Sequence, residues 1–337
     1  MLFLPNLYAG LDQFVSGFAG REKLFRDGLG DLDFIQGVPE RHPRNVVPAQ
    51  VSWDAPPVSQ NGGVTRQAGS FTSPAADWLP LESKIAQIEM IRPAKCNPAT
   101  PVFVHFAATG DETFLPRRML LANALAEQGI ASVLLMNPLY GVRRPKTQRT
   151  FAVPTVSDQL RMNGASIFEG VALVRWLEVQ GFERVGVTGV SMGGSMAATV
   201  AAMIETPVRA AVCIGPVGPA PAFSRGVLAG QVDWPALAAD YGLSVDQRDD
   251  TSLAKVRAAL NATFDVVDLR NFAPPVRAEW CILVGARHDG YVPADSVTAL
   301  HDHWPGSQLR WIEASHVTAV VLHAGDFRRA IVDAAGL

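Results

Sequence analysis

One serine lies where a short apolar segment meets an Ala-rich segment, and this feature most constrains the fold of the chain. Residues 185–190 predict a buried β-strand and residues 192–204 predict a helix. Between them stands Ser191, with Gly189 two positions before it and Gly193 two positions after it. Glycines permit a turn so tight that the serine backbone is strained and its hydroxyl is exposed. This G-x-S-x-G pattern predicts a nucleophile elbow; the alternative is a glycine-rich packing turn without chemistry.

Strands and helices alternate from residue 101 onward, which is the pattern of a parallel sheet. The predicted strands are 102–106, 130–136, 185–190, 210–214, 280–284 and 309–313, and the predicted helices are 115–128, 156–180, 192–204, 294–303 and 317–335. The alternation predicts an α/β protein with a doubly wound, mostly parallel sheet and right-handed crossovers. In such a sheet the functional groups collect at the carboxyl ends of the strands.

Two segments outside this alternation predict an N-terminal extension and an inserted cap. Residues 1–80 predict an N-terminal extension packed on the core, and residues 81–337 predict the main domain. Two early strands are expected at 64–71 and 85–91. Residues 216–275 break the alternation with prolines and weakly amphipathic stretches, and they predict an inserted cap.

A nucleophilic serine needs a base, and the base needs an acid that orients it. Asp289 follows the predicted strand at 280–284, and His316 follows the strand at 309–313. The order Ser, Asp, His along the chain is the one this fold requires. A single histidine is usually an ordinary packed or surface residue, but its order and loop favour a catalytic base. The other downstream histidines lie beside the acid or on helices: His288, His301, His303 and His323.

Small residues follow the first predicted parallel strand, where a second donor to an oxyanion is expected. Their size lets backbone amides approach a substrate, and the amide of Met192 at the helix start is expected to supply the other donor. The loop donor is predicted to be Ala107, with Ala108 as the alternative. His105 and Asp111 are expected to brace this loop rather than to react.

Several segments resemble the alpha/beta hydrolase domain-containing protein 18 family. They are VHFAATGD at 104–111, NPLYGVRRPK at 137–146, GVSMGG at 189–194, WPG at 304–306, and the loops of Asp289 and His316. The resemblance runs from about residue 79 to residue 335. It implies the α/β-hydrolase fold and a Ser191–Asp289–His316 triad. The chain departs from the family at Ala108, where relatives tend to have Gly, and at Ala314–Ser315, where Gly-Gly is usual.

Two groups of residues bear on the substrate. Arg143, Arg144 and Lys146 follow a strand near the predicted site. They predict either a solvated basic loop or a rim that receives an anionic head group, such as that of a lipid ester. Phe223 and Trp234 in the cap are expected to contact the acyl chain of a substrate.

Composition excludes several classes of protein. The net charge is −3, and the sequence has no basic tail and no phosphate-binding loop, so a nucleic-acid partner is not expected. Cys96, Cys213 and Cys281 are sparse and predict a reducing, cytoplasmic compartment without disulfides or a zinc site. The chain contains no apolar run of the roughly 20 residues that a membrane span needs.

The N-terminal segment predicts an amphipathic helix. Its apolar face consists of Leu4, Leu7, Tyr8, Leu11, Phe14, Val15 and Phe18. Because the polar face is not basic, packing on the domain is favoured over peripheral contact with a membrane.

These observations predict a serine hydrolase that cleaves a small-molecule or lipid carboxylic ester and needs neither cofactor nor metal. The alternatives are an acyltransferase or amidase with the same triad, or a catalytically silent binding protein on the same scaffold. The sequence does not specify the acyl length or the oligomeric state.

Overall fold

The computed structural model describes residues 12, 22–246 and 249–337. Within these residues the strands belong to one mixed sheet. They are β1 (Ser52–Trp53), β2 (Val58–Ser59), β3 (Thr65–Thr72), β4 (Ile85–Arg92), β5 (Val102–Phe106), β6 (Ala131–Leu135), β7 (Val185–Val190), β8 (Arg209–Cys213), β9 (Cys281–Ala286) and β10 (Gln308–Ile312).

The sheet has the order β1-β3-β4-β6-β5-β7-β8-β9-β10, with β2 paired to β3. The six strands from β6 to β10 in this order run parallel, whereas β1, β2, β3 and β4 pair antiparallel. Every residue of β5, β6 and β9 is buried. Strands covered by helices on both faces consist of continuous apolar residues, and this is why they could be predicted from the sequence. The predicted doubly wound, mostly parallel α/β sheet is confirmed.

Helices cover the sheet and follow the predicted alternation. They are α1 (Leu32–Gln36), α2 (Leu115–Arg117), α3 (Asn123–Glu127), α4 (Val156–Val179), α5 (Met192–Met203), α6 (Pro219–Ser224), α7 (Trp234–Asp240), α8 (Asp250–Asp265), α9 (Ala294–His303), α10 (His316–Leu322) and α11 (Ala324–Ala335). A π-helical turn, Arg118–Ala122, joins α2 to α3. None of the helices in the described part of the chain combines the length and the apolar character that a membrane crossing requires.

The prediction of one closing helix at 317–335 is wrong in one respect, because this segment forms two helices. The break lies at His323, which ends α10 and precedes α11. Its side chain contacts Asp326 in the first turn of α11, with 2.9 Å between Nδ1 and Oδ2. The break lets α11 pack Phe327 and Ile331 against β8 and β9 while α10 takes a separate path.

The segment 216–275 contributes α6, α7 and α8, which pack on a cluster of apolar side chains separate from the core beneath α4 and α5. Residues 24–38 join the same cluster; the ring of Phe25 lies 5.1 Å from that of Phe223, between centroids. Residues 52–72 of the predicted extension form strands of the main sheet. The apolar helical face predicted at residues 4–18 lies outside the described residues.

Candidate active site

Ser191 occupies the turn between β7 and α5 in a strained conformation, with φ 58° and ψ −124°. A Cβ on Gly189 would lie 2.3 Å from the backbone carbonyl of Gly193, and a Cβ on Gly193 would lie 2.4 Å from the carbonyl oxygen of Phe106. No side chain fits at either glycine. The two glycines therefore permit the turn, as the motif predicts.

The loops after β9 and β10 bring an acid and a base together. His316 Nδ1 lies 2.7 Å from Asp289 Oδ2, and the Asp289 side chain is almost fully buried. The other oxygen, Oδ1, accepts hydrogen bonds from the backbone amides of Tyr291 at 2.8 Å and Val292 at 2.7 Å. The Tyr291 ring lies over the imidazole, with 4.7 Å between ring centroids. The carboxylate is thus fixed on its loop and directed at one ring nitrogen.

The environment of His316 keeps it basic. Burial lowers the pKa of His316, but the charge and hydrogen bond of Asp289, together with the charge of Asp12, outweigh burial and raise it above the ordinary value. The imidazole therefore takes up a proton at a higher pH than a free histidine does. Activity that needs neutral His316 should fall as the pH drops through this raised pKa.

Ser191, Met192 and His316 line one cavity of about 510 Å³. Its walls are largely apolar and include Phe106, Leu120, Phe151, Phe223, Leu228 and Phe327. Asp289 lies behind His316 and outside the lining. A serine and a histidine at the carboxyl end of the sheet thus share an apolar chamber of the size that small ligands occupy.

A family model described as alpha/beta hydrolase domain containing 18 matches residues 22–336. The chain belongs to this family. Its fold is also similar to those of two solved enzymes. One is an acetyl xylan esterase from Paenibacillus sp. R4, with 14% identity, a TM-score of 0.58, and coverage of 91% of this chain and 97% of the other. Acetyl xylan esterase 1 from Thermoanaerobacterium sp. JW/SL YS485 has 13% identity, a TM-score of 0.51, and coverage of 94% and 98%. The α/β-hydrolase fold is thereby shown.

The two residues predicted as alternative oxyanion donors in the loop after β5 occupy different places. Ala108 lines the cavity, whereas Ala107 is fully buried and outside the lining. Met192, the other predicted donor, lines the cavity at the first position of α5. The departure at Ala108 requires no special backbone, since Ala108 is not among the described non-glycine residues with positive φ.

Asp111 braces the loop after β5, which is the predicted oxyanion loop. Its carboxylate lies 2.6 Å from the guanidinium of Arg117, and both side chains are buried. Arg117 also donates to the carbonyl oxygens of His105 and Leu135, each at 2.7 Å. The loop is therefore tied to the ends of β5 and β6. Burial lowers the pKa of His105 to about 3, so its ring is neutral at pH 7.

The expectation that Arg143 receives an anionic head group is wrong. Arg143 is 1% exposed, and its guanidinium lies 2.5 and 2.9 Å from the two carboxylate oxygens of Glu169. It also donates to the carbonyl oxygens of Met136 at 2.6 Å and Ser83 at 2.7 Å. An arginine that is buried and bonded to a buried carboxylate and two carbonyls cannot face a substrate.

The other two basic residues of that segment do not line the cavity either. Arg144 pairs with Glu112 at 2.8 Å, and Lys146 is exposed. The same segment instead supports the oxyanion loop. The Asn137 side chain donates to the carbonyl oxygen of Ala107 at 3.4 Å. The hydroxyl of Tyr140 accepts from the amide of Gly110, also at 3.4 Å.

The two cap residues predicted to contact an acyl chain differ in whether they reach the cavity. Phe223 lines the cavity that Ser191 and His316 share. Trp234 does not, so that expectation is wrong; its ring is buried on α7, and its Nε1 donates to the carbonyl oxygen of Ala229 at 2.9 Å. The scattered apolar residues of the cap could not tell which buried side chain adjoins the cavity.

Sequence reasoning missed several residues of the site. Gln159 and Asn163 on α4 both line the cavity, and the Gln159 amide donates to Asn163 Oδ1 at 2.9 Å. Polar residues four positions apart on a mostly buried helix are a signal that could have found them. Asp12, which contacts the loops of both triad partners, carried no such signal.

A second cavity of about 270 Å³ adjoins the first. Asn163, Ser195 and Met196 line both, so they form part of the wall between them. Across the described residues, no group of three or more His, Cys, Asp and Glu side chains is arranged to hold a metal ion.

Proposed function

We propose that this chain is a serine hydrolase that cleaves carboxylic esters through Ser191, Asp289 and His316. One observation carries the proposal. A serine held in the strained elbow conformation shares an apolar cavity with a histidine that is bonded to a buried aspartate. This combination suits nucleophilic attack on a carbonyl.

The proposed reaction proceeds through an acyl-enzyme. Ser191 Oγ attacks the ester carbonyl while His316 Nε2 takes its proton and then gives it to the leaving alcohol. Asp289 holds the proton on Nδ1 and stabilises the imidazolium. The amides of Met192 and of the loop at 107–108 stabilise the oxyanion. Water, activated by the same imidazole, then releases the carboxylic acid and restores Ser191.

Labelling with a fluorophosphonate probe tests the nucleophile. Ser191→Ala should abolish labelling and lower turnover of a p-nitrophenyl ester by about 10⁴-fold or more, because the nucleophile is lost while the fold remains. Ser195→Ala is the matched control, since Ser195 lies on the helix that Ser191 precedes and lines the same cavity. It should still be labelled.

Three results would contradict the proposal. Labelling of folded Ser191→Ala at the rate of the unmodified protein would move the nucleophile elsewhere. A wild-type chain that neither reacts with the probe nor hydrolyses any ester would favour a silent binding protein. Faster transfer of the acyl group to an added alcohol than to water would favour an acyltransferase.

A further inference from the structure

Asp12 is fully buried and lies against the loops that carry the catalytic acid and base. Its Oδ2 accepts hydrogen bonds from the backbone amides of Gly290 at 2.9 Å and His316 at 3.0 Å. Its Oδ1 accepts from the amide of Val317 at 3.0 Å. A carboxylate from near the start of the chain thus bonds to two loops that lie about 280 and 300 residues later.

These bonds complete the N-terminus of α10, whose first residue is His316. The first amides of a helix have no partner within the helix. Here the amide of Thr318 bonds to Ser315 Oγ at 3.3 Å, and the Thr318 hydroxyl accepts from the Ser315 amide at 2.8 Å. Asp12 takes the two amides that this capping box leaves, those of His316 and Val317.

The bond to Gly290 connects the second loop to the same carboxylate. Gly290 directly follows Asp289 in the chain. A Cβ on Gly290 would lie 3.1 Å from Asp12 Oδ2, so a glycine there permits the close approach. The hydroxyl of Tyr291 also donates to the backbone carbonyl of Asp12 at 3.4 Å. One buried side chain therefore fixes the backbone of the acid loop relative to that of the base.

We propose that Asp12 is a positioning residue for the catalytic pair: by bonding to both backbones, it sets the placement of His316 against Asp289 and Ser191. The inference rests on the proposed function. Asp12 precedes the range 22–336 that the family model matches, so this contact comes from outside the family's matched region. Its carboxylate also acts on His316 by charge.

The charge supplies a readout that a purely structural cap would not give. Among the described residues, the charged groups that act on His316 are Asp289 and Asp12, and the titratable ring of Tyr291 packs against it at a tilt of 31°. Both carboxylates favour the imidazolium. Removing the charge of Asp12 should therefore lower the pKa of His316, while loss of position should lower the rate at every pH.

Asp12→Asn in the full chain tests the proposal. Asparagine offers one oxygen to three amides, so the plateau of kcat/KM for a p-nitrophenyl ester should fall about 10- to 100-fold. The acid limb of its pH profile should move down by about half a pH unit. The His316 ring signals, followed by NMR against pH, should show the same shift without any need for turnover.

Asp268→Asn is the control, because Asp268 is also buried and accepts a backbone amide, that of Arg270, away from the triad loops. It should lower the melting temperature and leave the pH profile in place. Gly290→Ala is a second variant that keeps Asp12 but crowds it, and should lower the plateau about three- to tenfold.

An Asp12→Asn chain with the wild-type plateau and the wild-type His316 titration would overturn the inference. So would a reduced plateau with an unmoved His316 titration, since that is the result of a structural cap alone. If wild type hydrolyses no ester, the proposed function fails, while the NMR shift still decides whether Asp12 acts on His316.

Discussion

Arg143 and Glu169 form an ion pair whose side chains are 1% and 0% exposed. Two carbonyl oxygens, of Met136 and Ser83, take up further donors of the guanidinium. Burial of both charges is costly, and the pair is tolerable only because the geometry and these bonds compensate. Arg143 is therefore a residue of the protein interior and not a surface cation.

Arg143→Ala should lower the free energy of unfolding by about 3–5 kcal/mol, because it leaves the Glu169 charge buried without a partner. Chemical denaturation with urea measures the change. Arg144→Ala is the matched control, since Arg144 forms a partly exposed pair with Glu112 and should cost about 1 kcal/mol or less. Equal small losses in both variants, with a raised KM for anionic esters in Arg143→Ala only, would restore the surface interpretation.

Helix α6 differs from the other cap helices because it contributes to the catalytic cavity. Phe223 on α6 lines the cavity and packs on Phe264, with 5.7 Å between ring centroids. Trp234 on α7 belongs to the same apolar cluster but faces away from the cavity. Substitutions of these two aromatic residues can therefore distinguish the effect of cap stability from the effect of substrate contact.

Phe223→Ala should change the relative kcat/KM for short and long acyl esters, because it enlarges the wall that an acyl chain would contact. Trp234→Ala should leave that ratio unchanged. Both should destabilise the fold by about 3–5 kcal/mol, since both side chains are buried. Ratios measured with p-nitrophenyl esters and melting curves give the two readouts. An altered ratio in Trp234→Ala with none in Phe223→Ala would reverse the assignment.

At the scale of the whole molecule, sheet, cap and oxyanion loop enclose one apolar chamber above Ser191. Burial of each methylene contributes about 0.8 kcal/mol, so kcat/KM should rise by up to about fourfold for each carbon added to an acetyl ester. The increase in kcat/KM should end at the acyl length that reaches Met196 in the wall toward the second cavity. Met196→Ala should extend the increase to longer acyl chains. Highest activity on acetyl esters, with steady loss for longer chains, would contradict an acyl role for the chamber.

The sequence by itself determined the parallel strands, the helices between them and the order of the proposed triad. These features are local: a strand buried on both faces needs a continuous apolar run, and the elbow needs glycines at fixed spacing around Ser191. Asp289 and His316 followed from their positions after strands, because parallel strands place their carboxyl ends together.

Only the tertiary structure decided which side chains reach the cavity. Arg143 and Lys146 belong to one basic segment, yet one is buried on Glu169 and the other is exposed. Phe223 and Trp234 are both buried in one cluster, yet only Phe223 faces the cavity. Asp12 meets His316 across 304 positions of chain. Such contacts depend on how separate elements pack, and no periodicity or spacing within one segment encodes them.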